Sequence, residues 1–325
     1  MTGVAESMWC LTGEQVEQGL APTRYGIHCL LRRRMLALVA HRHSWTNAAL
    51  LARTWPGGSS ARLTPSEAFE RLQPGDVALG RLDVRRTLDG VEDGLWVLCA
   101  LAERGVTVLN AAGPLLKAHD KLATAGILKR ARLPHPFTQL VLPGRLFPAM
   151  RPPVVVKPRF GSWGRDVVLC PSEDALGAAL GALSRRTWFA AHGAIVQELV
   201  PPLGFDVRVI VADGEVIGAV ERHAALGEWR TNIALGGTRN PYVPEPAVVA
   251  LAQAAAAACG LELVGVDLLP RDGGWVVLEL NGAVDFTRDY APADDVFTAA
   301  LGALARTAAR RAAEVPISAV AAEPA

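Results

Sequence analysis

Two acidic residues and an asparagine stand close together in apolar segments of the last third of the chain. Glu279 and Asn281 are two residues apart, so in a strand they share a face, and a hairpin would bring Asp267 to that face. Three hard oxygen donors predict a Mg²⁺ site, with Mn²⁺ as the alternative ion. The other interpretation is a pair of solvent-facing edge-strand acids. The apolar neighbours argue against it, because burying unpaired acids is costly.

A lysine and a glycine-containing loop follow a β-branched run in the middle of the chain. Lys157 follows the predicted strand at 154–156, and Gly161, Ser162 and Gly164 come shortly afterwards. An ammonium and backbone N–H groups placed in this way can contact nucleotide phosphates. The loop is not a Walker A loop, because its lysine precedes the glycines. A lysine that reaches solvent beside an ordinary glycine turn is the alternative.

A third segment offers groups for a nucleoside. Glu198 and Leu199 end a predicted strand, and Asp206 begins the next one. Backbone groups at such a strand end can pair with an adenine edge, and either carboxylate can hold ribose hydroxyls. Pro201 and Pro202 leave a surface linker equally open.

Cationic residues follow on a predicted hairpin and in the loop after it. Arg208 and Arg222 belong to the hairpin, and Arg230 and Asn232 belong to the loop. Cations near a metal stabilise a transferring phosphoryl group, so we expect catalytic roles for the three arginines. A surface salt-bridge ladder is the alternative.

The elements that would position these residues alternate between strands and helices. Apolar periodicity and Gly or Pro stops define them. The predicted strands are 76–80, 106–109, 154–156 and 194–199, with hairpins 206–211/216–221 and 263–269/275–280; the predicted helices are 92–104, 117–130, 174–183, 246–259 and 294–310. This alternation predicts an α/β architecture.

The whole-chain composition narrows the class of protein. The chain has 325 residues and a formal net charge of +1, which allows two or three domains but gives no footprint for nucleic-acid binding. Its five cysteines form no CxxC pair, which favours free thiols in a reducing compartment. No signal peptide or membrane span is evident. We therefore expect a cytoplasmic protein without a membrane partner.

In order and spacing, these motifs resemble the RimK-like branch of the ATP-grasp ligases. That branch includes ribosomal-protein glutamate ligases, carrier-protein ligases of lysine biosynthesis, and ligases that add glutamate to pterin or deazaflavin cofactors. The resemblance covers 76–310 and implies an α/β (α+β) ATP-grasp fold of three subdomains, with ATP between two antiparallel sheets. The expected divisions are an N-terminal α/β domain at 1–115, a central lid subdomain at 116–205, a C-terminal catalytic subdomain at 206–311 and a disordered tail at 312–325.

The resemblance also implies roles for individual residues. The nucleotide-contacting positions would be Lys121, Lys157, Glu198, Leu199, Asp206, Arg230 and Asn232. The Mg²⁺ ligands would be Asp267, Glu279 and Asn281, with Arg208 near the phosphates or substrate. The chain departs from the ribosomal-protein ligases after Asn281, where it reads Gly-Ala-Val-Asp-Phe, a sequence closer to the carrier-protein ligases.

The function implied is an ATP- and Mg²⁺-dependent carboxylate–amine ligase that forms an acyl phosphate. Its substrates would be a glutamate-like amino acid and a small-molecule, pterin-like or carrier-protein acceptor. A non-catalytic ATP-binding regulatory protein, or an ATP-grasp enzyme with a non-amine nucleophile, is the alternative. A homo-oligomer is left open.

The loop at 282–290 directly follows Asn281, the last of the three predicted Mg²⁺ ligands. We expect this loop to contact the substrate. Asp285 could pair with a substrate ammonium, Arg288 with a carboxylate, and Phe286 could form an apolar wall. The alternative is a connecting loop with Phe286 in the core.

Overall fold

The computed structural model describes residues 34–144, 148–201 and 203–314. Cys10, Cys29 and most of the predicted tail lie outside these ranges. The described strands form three sheets, one parallel and two antiparallel, with helices packed around them. The predicted α/β (α+β) class is confirmed, whereas the domain boundaries stay a prediction.

The first sheet is parallel and has the strand order β2-β1-β3-β4. Its strands are β1 Leu36–Val39, β2 Ser60–Leu63, β3 Val77–Gly80 and β4 Thr107–Leu109, and helices α1 Trp45–Leu51, α2 Pro65–Arg71 and α3 Leu95–Glu103 connect them. Strands β1 and β3 are buried along their whole length, as parallel strands covered on both faces require. Strand β1 falls in the first 60 residues, where the sequence shows no clear periodicity.

Two helices lie where the sequence predicts a single helix at 117–130. Helix α4 spans Ala112–His119 and helix α5 spans Lys121–Arg130. Asp120 separates them, and its carboxylate accepts hydrogen bonds from the backbone N–H groups of Leu122 (3.1 Å) and Ala123 (3.2 Å). The prediction of one helix was wrong because an aspartate that caps a new helix interrupts the old one.

The second sheet is antiparallel and has the order β5-β8-β6-β7. Its strands are β5 Thr138–Val141, β6 Val154–Pro158, β7 Val168–Cys170 and β8 Ala194–Glu198, and helices α6 Glu173–Leu183 and α7 Thr187–His192 precede β8. Leu180 and Phe189 from these helices share a core with Val156. Strand β6 runs two residues beyond its predicted end and so includes Lys157.

The third sheet is antiparallel and has the order β11-β10-β9-β12-β13. Its strands are β9 Phe205–Ala212, β10 Glu215–His223, β11 Thr238–Pro241, β12 Leu263–Arg271 and β13 Gly274–Asn281; helix α8, Pro246–Cys259, covers one face. Both predicted hairpins are confirmed. Asp213 and Gly214 have φ of 53° and 77°, the positive values that a type I′ turn requires.

The last helix, α9, spans Val296–Glu314 and continues beyond the predicted end at 310. Residues 312–314, which composition assigned to a disordered tail, are therefore helical. Buried Thr307 and Ala308 show that the C-terminal half of this helix still packs on the protein. None of the helices in the described ranges is long and apolar enough to cross a membrane. The cytoplasmic location stays a prediction.

Asn110 joins the first sheet to the third. Its fully buried side chain donates to the carbonyls of Leu263 (2.7 Å) and Gly282 (3.0 Å). Its Oδ1 accepts from the N–H groups of Glu262 (2.9 Å) and Leu263 (3.0 Å). The residue has a φ of 48°, a conformation that asparagine tolerates better than most side chains.

We predict that Asn110→Ala lowers the free energy of unfolding by about 3–5 kcal/mol, because it leaves buried backbone groups unpaired. Urea unfolding followed by circular dichroism measures this. Asn240→Ala is the matched control, since Asn240 is exposed and makes one bond of 3.3 Å. Equal stability of the two variants would contradict the role of Asn110.

Candidate active site

Charged side chains from four strands of the third sheet stand on one face. The register pairs Asp206 with Arg222, Arg208 with Asp267, and Asp267 with Glu279. Residues directly opposed on neighbouring strands point to the same face. The convergence of Asp267 and Glu279 that the sequence predicts is therefore confirmed.

Asp267 is held by two arginines. Arg208 donates to both carboxylate oxygens at 2.6 Å, and Arg222 donates to Oδ2 at 2.8 Å. Burial by itself would raise the pKa of the Asp267 carboxyl, but the two guanidinium groups hold it well below its usual range. Asp267 is thus ionised and held in place. Its Oδ1 accepts one hydrogen bond, from Arg208, whereas its Oδ2 accepts two.

Arg222 is positioned in turn by Asp206. It donates to Asp206 Oδ1 (2.7 Å) and Oδ2 (2.6 Å), and the Thr231 hydroxyl donates to Oδ2 (2.7 Å). The Asp206 carboxylate is buried and committed to these protein donors. The ribose contact expected for Asp206 stays a prediction, and its observed contacts orient Arg222.

Two lysines face the anions of this row. Lys121 Nζ lies 3.2 Å from Glu279 Oε2 and donates to the carbonyl of Gly161 at 2.8 Å. Lys157 is buried, and burial lowers the pKa of its ammonium to about 8, although Glu279 and Asp267 oppose this shift. The two predicted lysines thus both lie beside Glu279 in the third sheet.

The glycine-containing loop is fastened beside these lysines. Arg230 donates to the Gly164 carbonyl at 2.7 Å and is held by Glu228 at 2.6 Å. Gly164 has a φ of 69°, and a Cβ there would lie 2.6 Å from Asn232 Oδ1. A side chain at this position is therefore excluded by both backbone conformation and space.

The segment at Glu198 and Leu199 forms the far end of the same site. Glu198 accepts a bond from the Phe137 N–H at 3.0 Å and forms an ion pair with Arg271. Its carboxylate is thus partly committed within the protein. Both residues line a cavity between the second and third sheets, together with Gln197 and Val200.

Two adjoining cavities meet at Glu279. The first lies between the antiparallel sheets and contains all the predicted nucleotide-contacting residues. The second is more polar and reaches toward the first sheet. The residues common to both are Ser162, Trp163, Arg222, Asn232 and Glu279; the second adds Asp83, His119, Arg208, Ile233, Ala234, Arg239, Asn281, Ala283, Val284, Asp285 and Tyr290.

A family comparison agrees with this architecture. The RimK-like ATP-grasp domain matches residues 118–291, more than half of the chain. The chain belongs to the RimK-like ATP-grasp family. The match begins just before Lys121 and ends just after Tyr290, so both cavities draw most of their lining from the family domain.

Several relatives in this ATP-grasp ligase family carry functional names. The glutamate–LysW ligase ArgX of Sulfurisphaera tokodaii is 32% identical over 66% of this chain and 78% of that protein. A probable alpha-L-glutamate ligase of Aeromonas salmonicida is 29% identical over 68% and 74%. A protein of the same name from Parasynechococcus marenigrum is 31% identical over 57% of this chain but only 41% of its own length.

Solved structures share the ATP-grasp fold. The D-alanine–D-alanine ligase of Bacillus anthracis has a TM-score of 0.66 at 17% identity, covering 87% of this chain and 99% of that chain. A RimK domain protein from Sphaerobacter thermophilus has a TM-score of 0.60 at 24% identity, covering 83% and 99%. At these identities the likeness shows the fold alone.

The donor set fits Mg²⁺. Glu279 and Asp267 offer carboxylate oxygens on one face, and Asn281, two residues after Glu279, offers an amide oxygen. The described ranges contain no group of three or more His, Cys, Asp or Glu side chains that could hold a metal. Two carboxylates and an amide suit an ion that completes its shell with water and phosphate oxygens.

Several residues of the site escaped sequence reasoning, and two predicted ones lie elsewhere. Asp83, His119 and Arg239 line the second cavity without any local sequence signal, because they come from distant elements.

Arg288 is exposed and lines neither cavity. Phe286 is fully buried and stacks on Phe297 at 5.2 Å, so of the two predicted positions, a pocket wall or the core, it occupies the core.

His119 makes the protein sensitive to acid. Burial lowers the pKa of its imidazole to about 4, and Nε2 donates to the Leu82 carbonyl at 2.9 Å. Between pH 6.5 and 4 the unfolded chain therefore binds a proton at this residue that the folded protein does not, so stability falls as the pH falls.

We predict that replacing His119 by Gln, which keeps an N–H donor, removes about 2 kcal/mol of the stability loss between pH 7 and pH 5. Urea unfolding of both proteins at the two pH values measures it. A parallel pH dependence in wild type and H119Q would contradict the assignment.

Proposed function

We propose that this chain is an ATP- and Mg²⁺-dependent carboxylate–amine ligase that forms an amide through an acyl phosphate. The observation that carries the proposal is the position of Glu279, which lines both cavities, beside its cross-strand neighbour Asp267 and opposite Lys121 and Lys157 in the first cavity. One cavity is suited to a nucleotide and the other to the molecules that are joined.

The nucleotide would lie in the first cavity, with its adenine beside Glu198 and Leu199. Lys121, Lys157 and the loop at Gly161 and Gly164 would contact its phosphates. Asp267, Glu279 and Asn281 would hold Mg²⁺, which neutralises charge on the β- and γ-phosphates when bound. Mn²⁺ could replace Mg²⁺ in such an oxygen-ligand site.

The chemistry then has two balanced steps. In the first step, an oxygen of the substrate carboxylate attacks the γ-phosphorus, and the bond between this phosphorus and the bridging oxygen of the β-phosphate breaks. The products of this step are an acyl phosphate and ADP. An amine attacks the acyl carbon, phosphate leaves, and the amine gives up a proton. Arg208 and Arg222 stand beside the metal ligands, where fixed cations stabilise the charge that develops on the transferring group.

The second cavity is the proposed site for the acid and the amine. It is lined by both anionic and cationic groups, among them Asp83, Asp285 and Arg239. Such a mixture suits a zwitterionic amino acid. The relatives named glutamate ligases support glutamate as that amino acid, and the glutamate–LysW ligase supports a carrier protein as one acceptor class beside small molecules and pterin-like cofactors.

A non-catalytic ATP-binding protein, or a ligase with a non-amine nucleophile, would share this fold. Product analysis separates the three. The decisive experiment measures ADP release with L-glutamate and a panel of carboxylate acceptors, followed by mass spectrometry for a new amide. ADP release without an amide favours another nucleophile, and ATP binding without turnover favours the regulatory protein.

We predict that Glu279→Gln reduces ADP release by about 100-fold or more, because it removes a metal-ligand charge beside the phosphates. Thermal unfolding should change little, since the variant keeps the shape of the side chain. Glu215→Gln is the matched control, because Glu215 forms an exposed pair with Arg306 away from the cavities. Wild-type ADP release by E279Q would sink the metal assignment.

We predict that Asp285→Asn raises the KM for the amino acid about tenfold or more, because it removes a charge-assisted hydrogen bond to the ammonium. The KM for ATP should stay unchanged. Arg288→Ala is the control on the same loop and should behave as wild type, since Arg288 lines neither cavity. An unaltered amino-acid KM in D285N would place recognition elsewhere.

A further inference from the structure

Two guanidinium groups lie over the ring of Trp163. The Cζ atom of Arg42 lies 5.0 Å from the ring centroid, and that of Arg165 lies 4.8 Å from it. Both distances are within the range of a cation–π contact. Trp163 belongs to the loop between β6 and β7, whereas Arg42 follows β1 of the first sheet.

Both arginines are fixed to the segment that follows β3. Arg42 pairs with Glu92 at 2.8 Å and donates to the Val84 carbonyl at 3.1 Å. Arg165 donates to the Arg86 carbonyl at 3.0 Å. The tryptophan ring and these arginines therefore connect the glycine-containing loop of the second sheet to the segment that follows β3 of the first.

The backbone of Trp163 is strained for its side chain. Its φ is 58°, in the left-handed region that bulky residues rarely adopt. A glycine would fit this backbone without strain. Because a large side chain occupies a position that favours glycine, we infer that the contacts of the indole ring compensate for the backbone strain.

Trp163 is one of the five described residues that line both cavities. The same loop is held from the other side by Lys121 at Gly161 and by Arg230 at Gly164. We propose that Trp163 is a positioning residue, whose clamped ring fixes the loop over the phosphate end of the nucleotide cavity and forms the wall shared with the substrate cavity. This rests on the proposed function in placing a nucleotide in the first cavity.

Four variants separate the ring from the backbone. Trp163→Gly relieves the backbone strain but removes the ring, and Trp163→Phe keeps a ring. Arg42→Gln leaves the loop sequence intact but removes one cation, and the double variant R42Q/W163G tests whether the two residues act together. The control is Arg104→Gln, because Arg104 also lies over an aromatic ring, Phe69 at 5.0 Å, but far from both cavities.

The first measurement is hydrogen exchange of peptides covering 159–167 in the protein without nucleotide. R42Q and W163G should exchange faster there than wild type, W163F and R104Q. Unchanged exchange in R42Q and W163G would overturn the clamp. This result does not depend on ATP binding, so it stands apart from the proposed function.

The second measurement is calorimetric binding of the ATP analogue AMP-PNP with Mg²⁺. R42Q and W163G should each bind about tenfold more weakly, the double variant no more weakly than W163G, and W163F within about threefold of wild type. In turnover, the KM for ATP should rise while kcat at saturating ATP is kept. Wild-type affinity in W163G would overturn the positioning role, whereas failure of wild type to bind AMP-PNP would overturn the proposed function instead.

Discussion

The bond between the Asp267 carboxylate and its two arginines is the interaction on which the site depends. A buried carboxylate without partners would be protonated or would destabilise the fold by several kcal/mol. Arg208 and Arg222 supply three short hydrogen bonds from two different strands and so keep Asp267 ionised. The strand register places Glu279 directly opposite Asp267, so the two proposed metal ligands share one face of the sheet.

The lysines complete the charge balance of the site. Lys121 pairs with Glu279 across 3.2 Å and donates to the carbonyl of Gly161. In the proposed function, the phosphates would replace Glu279 as the partner of Lys121, and Mg²⁺ would replace Lys121 as the partner of Glu279. Each group therefore exchanges one opposite charge for another, which keeps the cost of desolvation low at each stage.

Contacts between the first and third sheets create the second cavity. Arg81 donates to the Val284 carbonyl at 2.8 Å, and Thr46 exchanges hydrogen bonds with the backbone of Phe286 at 2.9 and 2.8 Å. Together with Asn110 they hold the 282–290 loop against the parallel sheet. Asp83, which follows β3 of the first sheet, thereby lines the same cavity as Glu279 and Asn281 of the third sheet.

Local sequence features are enough to predict the elements and residues whose chemistry is local. The Asp-Gly turn at 213–214, the two hairpins, helix α8 and the shared face of Glu279 and Asn281 follow from periodicity and turn chemistry, which act over a few residues. The distant groups that contact these residues become known only from the packed fold. Asp83 and His119 enter the second cavity, Asp206 turns to Arg222, and Phe286 joins the core, because packing of the three sheets sets those contacts and no spacing along the chain encodes them.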